Sequence, residues 1–310
     1  MISLIDRYRG SLMGLAVGDA LGSAVEFMAP GTFPPLTDMI GGGPFDLWPG
    51  QWTDDTSMAL CLAESLVERR GMDPRDQLRR YVRWYREGYR SSTGTCFDIG
   101  ITVREALQRF ESTDCAHCGS HDPNTAGNGS LMRLAPVPLF YARDPREAIE
   151  RSGESSRTTH GAAAAVDACR YFGGLIAGAL KGASKDELLG DRYAPVVGYW
   201  DAHPLAPEID EVACGSYRQG RTIVGSGYVV RSMEAALWAF HATDSYAAGC
   251  LAAANLANDA DTTAAIYGQL AGAYYGMQGI PADWHEIIAL RGLILDLADA
   301  LHAAAQGAPA

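Results

Sequence analysis

The chain has 310 residues, with 25 Lys and Arg against 37 Asp and Glu, a formal net charge of −12, and 47% hydrophobic against 20% charged residues. That balance suits a chain able to bury a core and excludes wholesale disorder. No run of more than two basic residues interrupts the acidic background, so nucleic acid, which is bound through phosphate neutralisation, is not an expected partner.

The N-terminus, MISLIDRYRG, lacks the basic region, apolar run and small-residue site of a secretory leader. Seven scattered cysteines, an odd number, fit free thiols in a reducing compartment. The expected location is the cytoplasm. The first predicted helix shows apolar Leu12, Leu15 and Ala16 and then Asp19, with Glu26 seven residues on; that spacing returns to the same face and breaks an apolar stripe with two carboxylates. Gly18 and Gly22 flank Asp19 and suggest close backbone approach, so Asp19 reads as a packing residue and Glu26 as a functional one.

Residues 29–51 are rich in Pro and Gly and cannot be helical; a connection this long is read as functional. It leads into Trp52-Thr53-Asp54-Asp55-Thr56, the start of an amphipathic helix with Ala59, Leu62, Ala63, Leu66 and Val67 on one face. Read singly, the motif is also what an ordinary Thr N-cap with two acids in the first turn looks like. A third helix follows on Leu78, Tyr81, Val82 and Tyr85.

Cys115 and Cys118, with His117 and His121 nearby, lack a second ligand pair at zinc-finger spacing and read as a solvent loop of free thiols. Gly127-Asn128-Gly129-Ser130-Leu131-Met132-Arg133 reads as the mouth of an apolar helix, where backbone N–H groups suit phosphate oxygens, or as a plain turn. His160 precedes the most apolar stretch, 162–180, which carries Asp167 and Arg170 and reads as a buried helix rather than a membrane span. The β-branched residues of 222–230 are broken by Gly225 and Gly227 and suit a loop entering a helix. Asn258-Asp259-Ala260-Asp261-Thr262-Thr263 then opens a helix carrying Tyr267, Leu270, Ala271 and Tyr274; the last helix carries Leu290, Leu293, Ile294, Leu297, Ala298 and Leu301. The expected fold is all-α, a compact orthogonal multi-helix bundle forming a single domain over 1–310.

Two Asp-rich helix starts, each with Thr, form an all-oxygen donor set suited to hard divalent cations. Were they to converge, two cations between them would relieve the repulsion of four carboxylates.

The combination of GDALG (18–22) with Glu26, WTDDT (52–56), GNGSLMR (127–133), TTHG (158–161) and DADTT (259–263) resembles the ADP-ribosylglycohydrolase family. The motifs span nearly the whole chain in the family's order. The resemblance implies an all-helical domain with a central cleft holding two Mg²⁺ or Mn²⁺ ions, which removes ADP-ribose from a modified side chain, most readily arginine. It implies metal ligands Thr53, Asp54, Asp55, Asp259, Asp261 and Thr262, with Glu26 as the acid near the scissile bond. Asp98, in Phe97-Asp98-Ile99-Gly100, falls near the proximal ribose and shares the catalytic role, with Gly100 beside it. Asn128, Gly129, Ser130 and Met132 surround the diphosphate and distal ribose, and His160 contacts the phosphate–ribose portion. The implied partner is an ADP-ribosylated protein or conjugate, with the enzyme a monomer bound to no membrane. Ile101 and Asn258 stand where many relatives have Asn and Gly. Alternatives are a hydrolase of serine-linked or small-molecule conjugates, a two-metal phosphohydrolase, distinguished by its product, and a non-catalytic ADP-ribose binder, which would lack the Asp pairs.

Overall fold

The computed structural model describes residues 2–307. Among them the chain forms α-helices and short 3₁₀ turns, with no strand and only isolated β-bridges. The longer helices are α1 (Leu4–Gly22), α2 (Asp54–Arg69), α3 (Pro74–Glu87), α4 (Ile101–Thr113), α5 (Pro145–Arg157), α6 (Ala163–Leu180), α7 (Val229–Ala242), α8 (Tyr246–Ala254), α9 (Ala260–Tyr275) and α10 (Arg291–Gly307).

The pair α1 and α9 sets the site. Gly10, Gly14, Gly18 and Gly22 recur every fourth residue, and a Cβ on them would stand 2.2–2.5 Å from the carbonyl oxygens of Gly272, Gly268, Ala264 and Ala260 respectively. The helices therefore run antiparallel with their backbones in contact, an approach that only glycine permits. Ser11 Oγ donates to the Gln269 carbonyl at 2.9 Å and the Tyr246 hydroxyl to the Gly14 carbonyl at 2.6 Å, tying the same seam. This contact places the C-terminal end of α1, with Asp19, beside the N-terminal end of α9, with Asp261.

Every residue of α1 from Gly10 to Gly22 is buried, so no single apolar stripe exists. The helix also ends before Glu26, which follows a 3₁₀ turn, Ser23–Val25. The helical spacing of Asp19 and Glu26 is thus not what unites them. The chain is drawn out of the helix by the loop before α9: Phe27 N–H donates to the Asn258 carbonyl at 2.6 Å, and Asn258 N–H to the Met28 carbonyl at 2.9 Å.

α3 buries Leu78 and Tyr81 on the predicted face, with Val82 and Tyr85 half-buried. By contrast, α2 from Asp54 to Leu66 and α9 from Ala260 to Ala273 are buried on every side, so Ala59, Leu62, Ala63 and Leu66 and Tyr267, Leu270 and Ala271 are buried without a distinct apolar face. α10 buries Ile294, Leu297, Ala298 and Leu301, whereas Leu290 precedes the helix and is exposed. α6 is 83% buried inside the fold, as a core helix should be. Residues 222–228 form the loop that enters α7.

Two expectations are corrected. Residues 127–135 do not open an apolar helix; they make successive turns that lead to a five-residue helix, Pro136–Phe140. Their carbonyls are taken by side chains: Arg133 Nη1 donates to Gly129 O at 2.9 Å, and Gln269 Nε2 to Leu131 O and Met132 O at 3.1 and 2.8 Å. Such bonds offer the carbonyls partners other than a helical ladder. The Cys115–His121 segment is not a solvent loop, because Cys118 is buried and the backbone pairs with the TTHG segment. Cys118 N–H donates to Thr158 O at 3.1 Å, Gly119 N–H to Arg157 O at 3.1 Å, and Gly161 N–H to Ser120 O at 3.0 Å. Its cysteines are free thiols, as expected.

Candidate active site

The first turn of α2 is capped from another helix. Thr53 makes no side-chain cap of its own. Instead Asp19 Oδ1 accepts from Thr53 N–H at 2.8 Å and its Oγ1 at 2.9 Å, while Oδ2 accepts from Thr56 N–H at 3.0 Å and its Oγ1 at 2.6 Å. Four bonds saturate a carboxylate. Asp19 is therefore a clamp that fixes the angle at which α2 delivers Asp54 and Asp55, as its reading as a packing residue anticipated.

Two acidic triads lie at this junction. Asp19, Asp55 and Asp261 bring one oxygen each within 4.8 Å of one another, and so do Glu26, Asp98 and Asp261. Asp261 belongs to both. The Thr53 hydroxyl sits 2.9 Å from Asp19 Oδ1 and 3.2 Å from both Asp55 Oδ2 and Asp261 Oδ2, yet it has one proton to give. Thr262 Oγ1 lies 3.4 Å from Asp55 Oδ2.

Burial first, and then the neighbouring carboxylates, push Glu26 up to about 10 and Asp98 up to about 8. The same causes hold Asp54, Asp55 and Asp261 well above the ordinary carboxylate range. Burial also raises Asp259, against the hydrogen bond from Asn128. Three buried oxygens, Glu26 Oε2, Asp55 Oδ1 and Asp261 Oδ1, have no hydrogen-bond partner. Orphaned acceptors in a repelling cluster at two helix N-termini fit cations. The donor set, all oxygen, fits hard divalent ions.

Above this floor opens a cavity of about 740 Å³ lined by Glu26, Asp54, Asp98, Asp259 and Thr262 on the acidic side and by Gly100, Asn128, Gly129, Met132 and His160 elsewhere. Thr53, Asp55 and Asp261 lie beneath it, buried. Ser130 is the exception among the predicted residues: its side chain is buried away from the cavity, where Ser156 Oγ donates to Ser130 Oγ at 2.8 Å. Asn128 turns its amide to Asp259 Oδ2 at 2.7 Å and to Ser232 Oγ at 2.9 Å, so it orients an acid of the cluster. Its own N–H is spent on the Gly227 carbonyl.

Asp98 reaches the cluster from a loop tied back to α2. Glu64 of α2 pairs with Arg90 and accepts from the Tyr89 hydroxyl at 2.8 Å, and Ser92 Oγ donates to the Trp52 carbonyl at 2.5 Å. The backbone around the acids is strained: Phe27, Asp98, Ala257 and Asn258 all have φ between 55° and 62°. Such left-handed residues gather where function fixes the chain. At 258 the conformation explains why Gly suits the position and why Asn tolerates it.

Three features of the site go beyond the sequence reading. The N-terminus of α4, capped by Gly100 with no side-chain bond, presents Ile101, Thr102 and Val103 to the cavity, with their N–H groups ahead of the first helical bond from Arg104 to Gly100. Phe27 stands exposed on the rim. Arg133 is wholly buried. The N-cap pattern at α4 could have been found, since Gly100 directly precedes a helical run.

The sequence profile described as ADP-ribosylglycohydrolase matches residues 1–310. The ADP-ribosylarginine hydrolase Tri1 of Pseudomonas putida (strain GB-1) is 44% identical over 299 residues, covering 96% of this chain and 78% of that protein. The ADP-ribosyl-[dinitrogen reductase] glycohydrolase of Rhodospirillum rubrum is 32% identical, covering 91% of this chain and 90% of its own length. A solved structure titled ADP-ribosylglycohydrolase-related protein complex superposes with a TM-score of 0.87 at 43% identity, over 98% of this chain and all of that one. Whole-length match, shared fold and an acidic cleft built from the expected motifs agree: the chain belongs to the ADP-ribosylglycohydrolase family.

Proposed function

We propose that the protein hydrolyses the glycosidic bond between ADP-ribose and an arginine side chain, with two divalent cations, Mg²⁺ or Mn²⁺, held by Thr53, Asp54, Asp55, Asp259, Asp261 and Thr262. The observation that carries this reading is the pair of acidic triads sharing Asp261, with orphaned oxygens at the floor of a cavity large enough for a nucleotide. The arginine linkage is supported by the printed activity of the relatives at 44% and 39% identity. When bound, the cations neutralise the cluster, polarise ribose hydroxyls and lower the pKa of a water.

The chain's own residues supply the rest. Glu26 and Asp98 lie together in one triad, both held above the ordinary carboxylate range, so the pair retains a proton at neutral pH. Hydrolysis moves one proton off water and puts one on the leaving guanidine nitrogen, and a carboxyl pair that holds one proton and can take another serves both transfers. Asp19 and Asn128 hold the ligand geometry. The α4 N-terminus and the Gly129 turn border the diphosphate, whose charge suits free N–H groups, and Met132 supplies apolar wall for the distal ribose.

Incubation with arginine- and serine-ADP-ribosylated peptides tests the reading. Free ADP-ribose is expected from the arginine peptide with Mg²⁺ or Mn²⁺ and its loss with chelator. Release of mononucleotide or phosphate, or chelator-resistant turnover, contradicts it.

A further inference from the structure

Arg133 is fully buried, and every partner it has among the described residues is neutral. Nη1 donates to the Gly129 carbonyl at 2.9 Å and touches Met58 Sδ at 3.8 Å; Nη2 donates to Thr159 Oγ1 at 2.7 Å and Thr158 Oγ1 at 3.3 Å. The guanidinium lies 4.6 Å from the centre of the Tyr81 ring. A buried cation with no counter-charge is costly to maintain, so its hydrogen bonds point to a task.

Thr159 Oγ1 already accepts from Arg133. The remaining acceptor for its own buried proton is His160 Nδ1, 2.9 Å away. A hydroxyl that donates to Nδ1 leaves the proton of a neutral imidazole on Nε2. His160 lines the cavity, and its Nε2 has no partner among the described residues; it lies 3.4 and 3.3 Å from where a Cβ would stand on Gly127 and Gly129. Glycine at those two positions keeps the nitrogen uncovered.

We propose that Arg133 and Thr159 are positioning residues that lock His160 as an Nε2–H donor, aimed at a diphosphate oxygen of the ADP-ribose group. The same guanidinium fixes the Gly129 turn, so one buried cation organises the anion end of a cavity whose other end is carboxylate. Burial, and then Arg133, depress His160 to about 3, which keeps the ring neutral across the working pH range. The identity of the ligand rests on the function proposed above; the tautomer does not.

Long-range ¹H–¹⁵N correlation spectra of histidine-labelled protein, with His160→Gln for assignment, read the tautomer directly. Wild type is expected to show Nε2–H at residue 160. Thr159→Val removes the donor to Nδ1 and is expected to move the Nδ1 resonance downfield toward its unbonded position and weaken ADP-ribose binding about tenfold by calorimetry with Mg²⁺ present. Thr159→Ser keeps the hydroxyl and should retain both the tautomer and the affinity to within about twofold. An Nδ1–H ring in wild type overturns the proposal, as does a folded Thr159→Val protein with an unchanged Nδ1 resonance and unchanged affinity. If wild type fails to bind ADP-ribose, the ligand assignment falls with the proposed function, while the spectra still decide the positioning claim.

Discussion

Asp261→Asn is expected to lower turnover more than about 100-fold, beyond the 10–100-fold typical of residues that only support a metal ligand. Asp261 is the carboxylate common to both triads, and its Oδ1 is one of the orphaned oxygens. In the proposed site, replacing it would remove a ligand at the point where the acidic groups of α1, α2 and α9 meet. The change should not unfold the protein. It removes a buried carboxyl that the metal-free fold must keep protonated, so the metal-free variant should melt above metal-free wild type at neutral pH. Calorimetric Mn²⁺ titration, thermal melts and ADP-ribose release together check this. Asp19→Asn is the contrast: its oxygens are saturated by Thr53 and Thr56, and it should fall within the supporting range. Wild-type activity in Asp261→Asn would refute the role given to it.

Metal-free protein should lose stability as pH rises from about 5 to 8, the reverse of ordinary acid denaturation. Glu26, Asp54, Asp55, Asp98 and Asp261 are all held above the ordinary carboxylate range in the fold, by burial first and mutual repulsion second. Unfolded, the same groups have released their protons by about pH 5. The native state therefore binds more protons than the unfolded one across this window, and unfolding free energy falls with rising pH. Divalent cations compete with those protons, so the stabilisation on adding Mg²⁺ or Mn²⁺ should grow with pH. Melting temperatures in chelator and in metal should diverge toward alkaline pH. A chelated protein that becomes more stable as pH rises would show that the cluster is not forced together by the fold.

Much of this site can be read from the sequence because its chemistry sits at helix starts, where Thr and Asp motifs stand out against apolar runs. What local pattern cannot supply is distance: Thr53 and Asp261 meet across 208 positions, through the antiparallel glycine contact of α1 and α9. Gly18 and Gly22 hinted at that contact, but Gly10 and Gly14, which complete it, look like ordinary helix glycines until the partner helix is known. Glu26 belongs to the cluster for a reason other than helical spacing, because the loop before α9 pulls the chain out of α1. The 127–133 segment takes the turn alternative rather than the helix start because its carbonyls accept from the Arg133 and Gln269 side chains, and the Gln269 bonds, across 138 and 137 positions, leave no local mark. Arg133 itself escaped notice for a physical reason: arginine is almost never fully buried, so a sequence gives no cause to place one inside.

The central claim is that the acidic starts of α2 and α9 would hold two divalent cations, with Asp261 among the ligands. A crystal grown with Mn²⁺ and measured near the manganese absorption edge tests it most directly. Two anomalous peaks are predicted, both within the cluster of Asp54, Asp55, Asp259 and Asp261. A single peak, or peaks away from Asp261, would contradict the account.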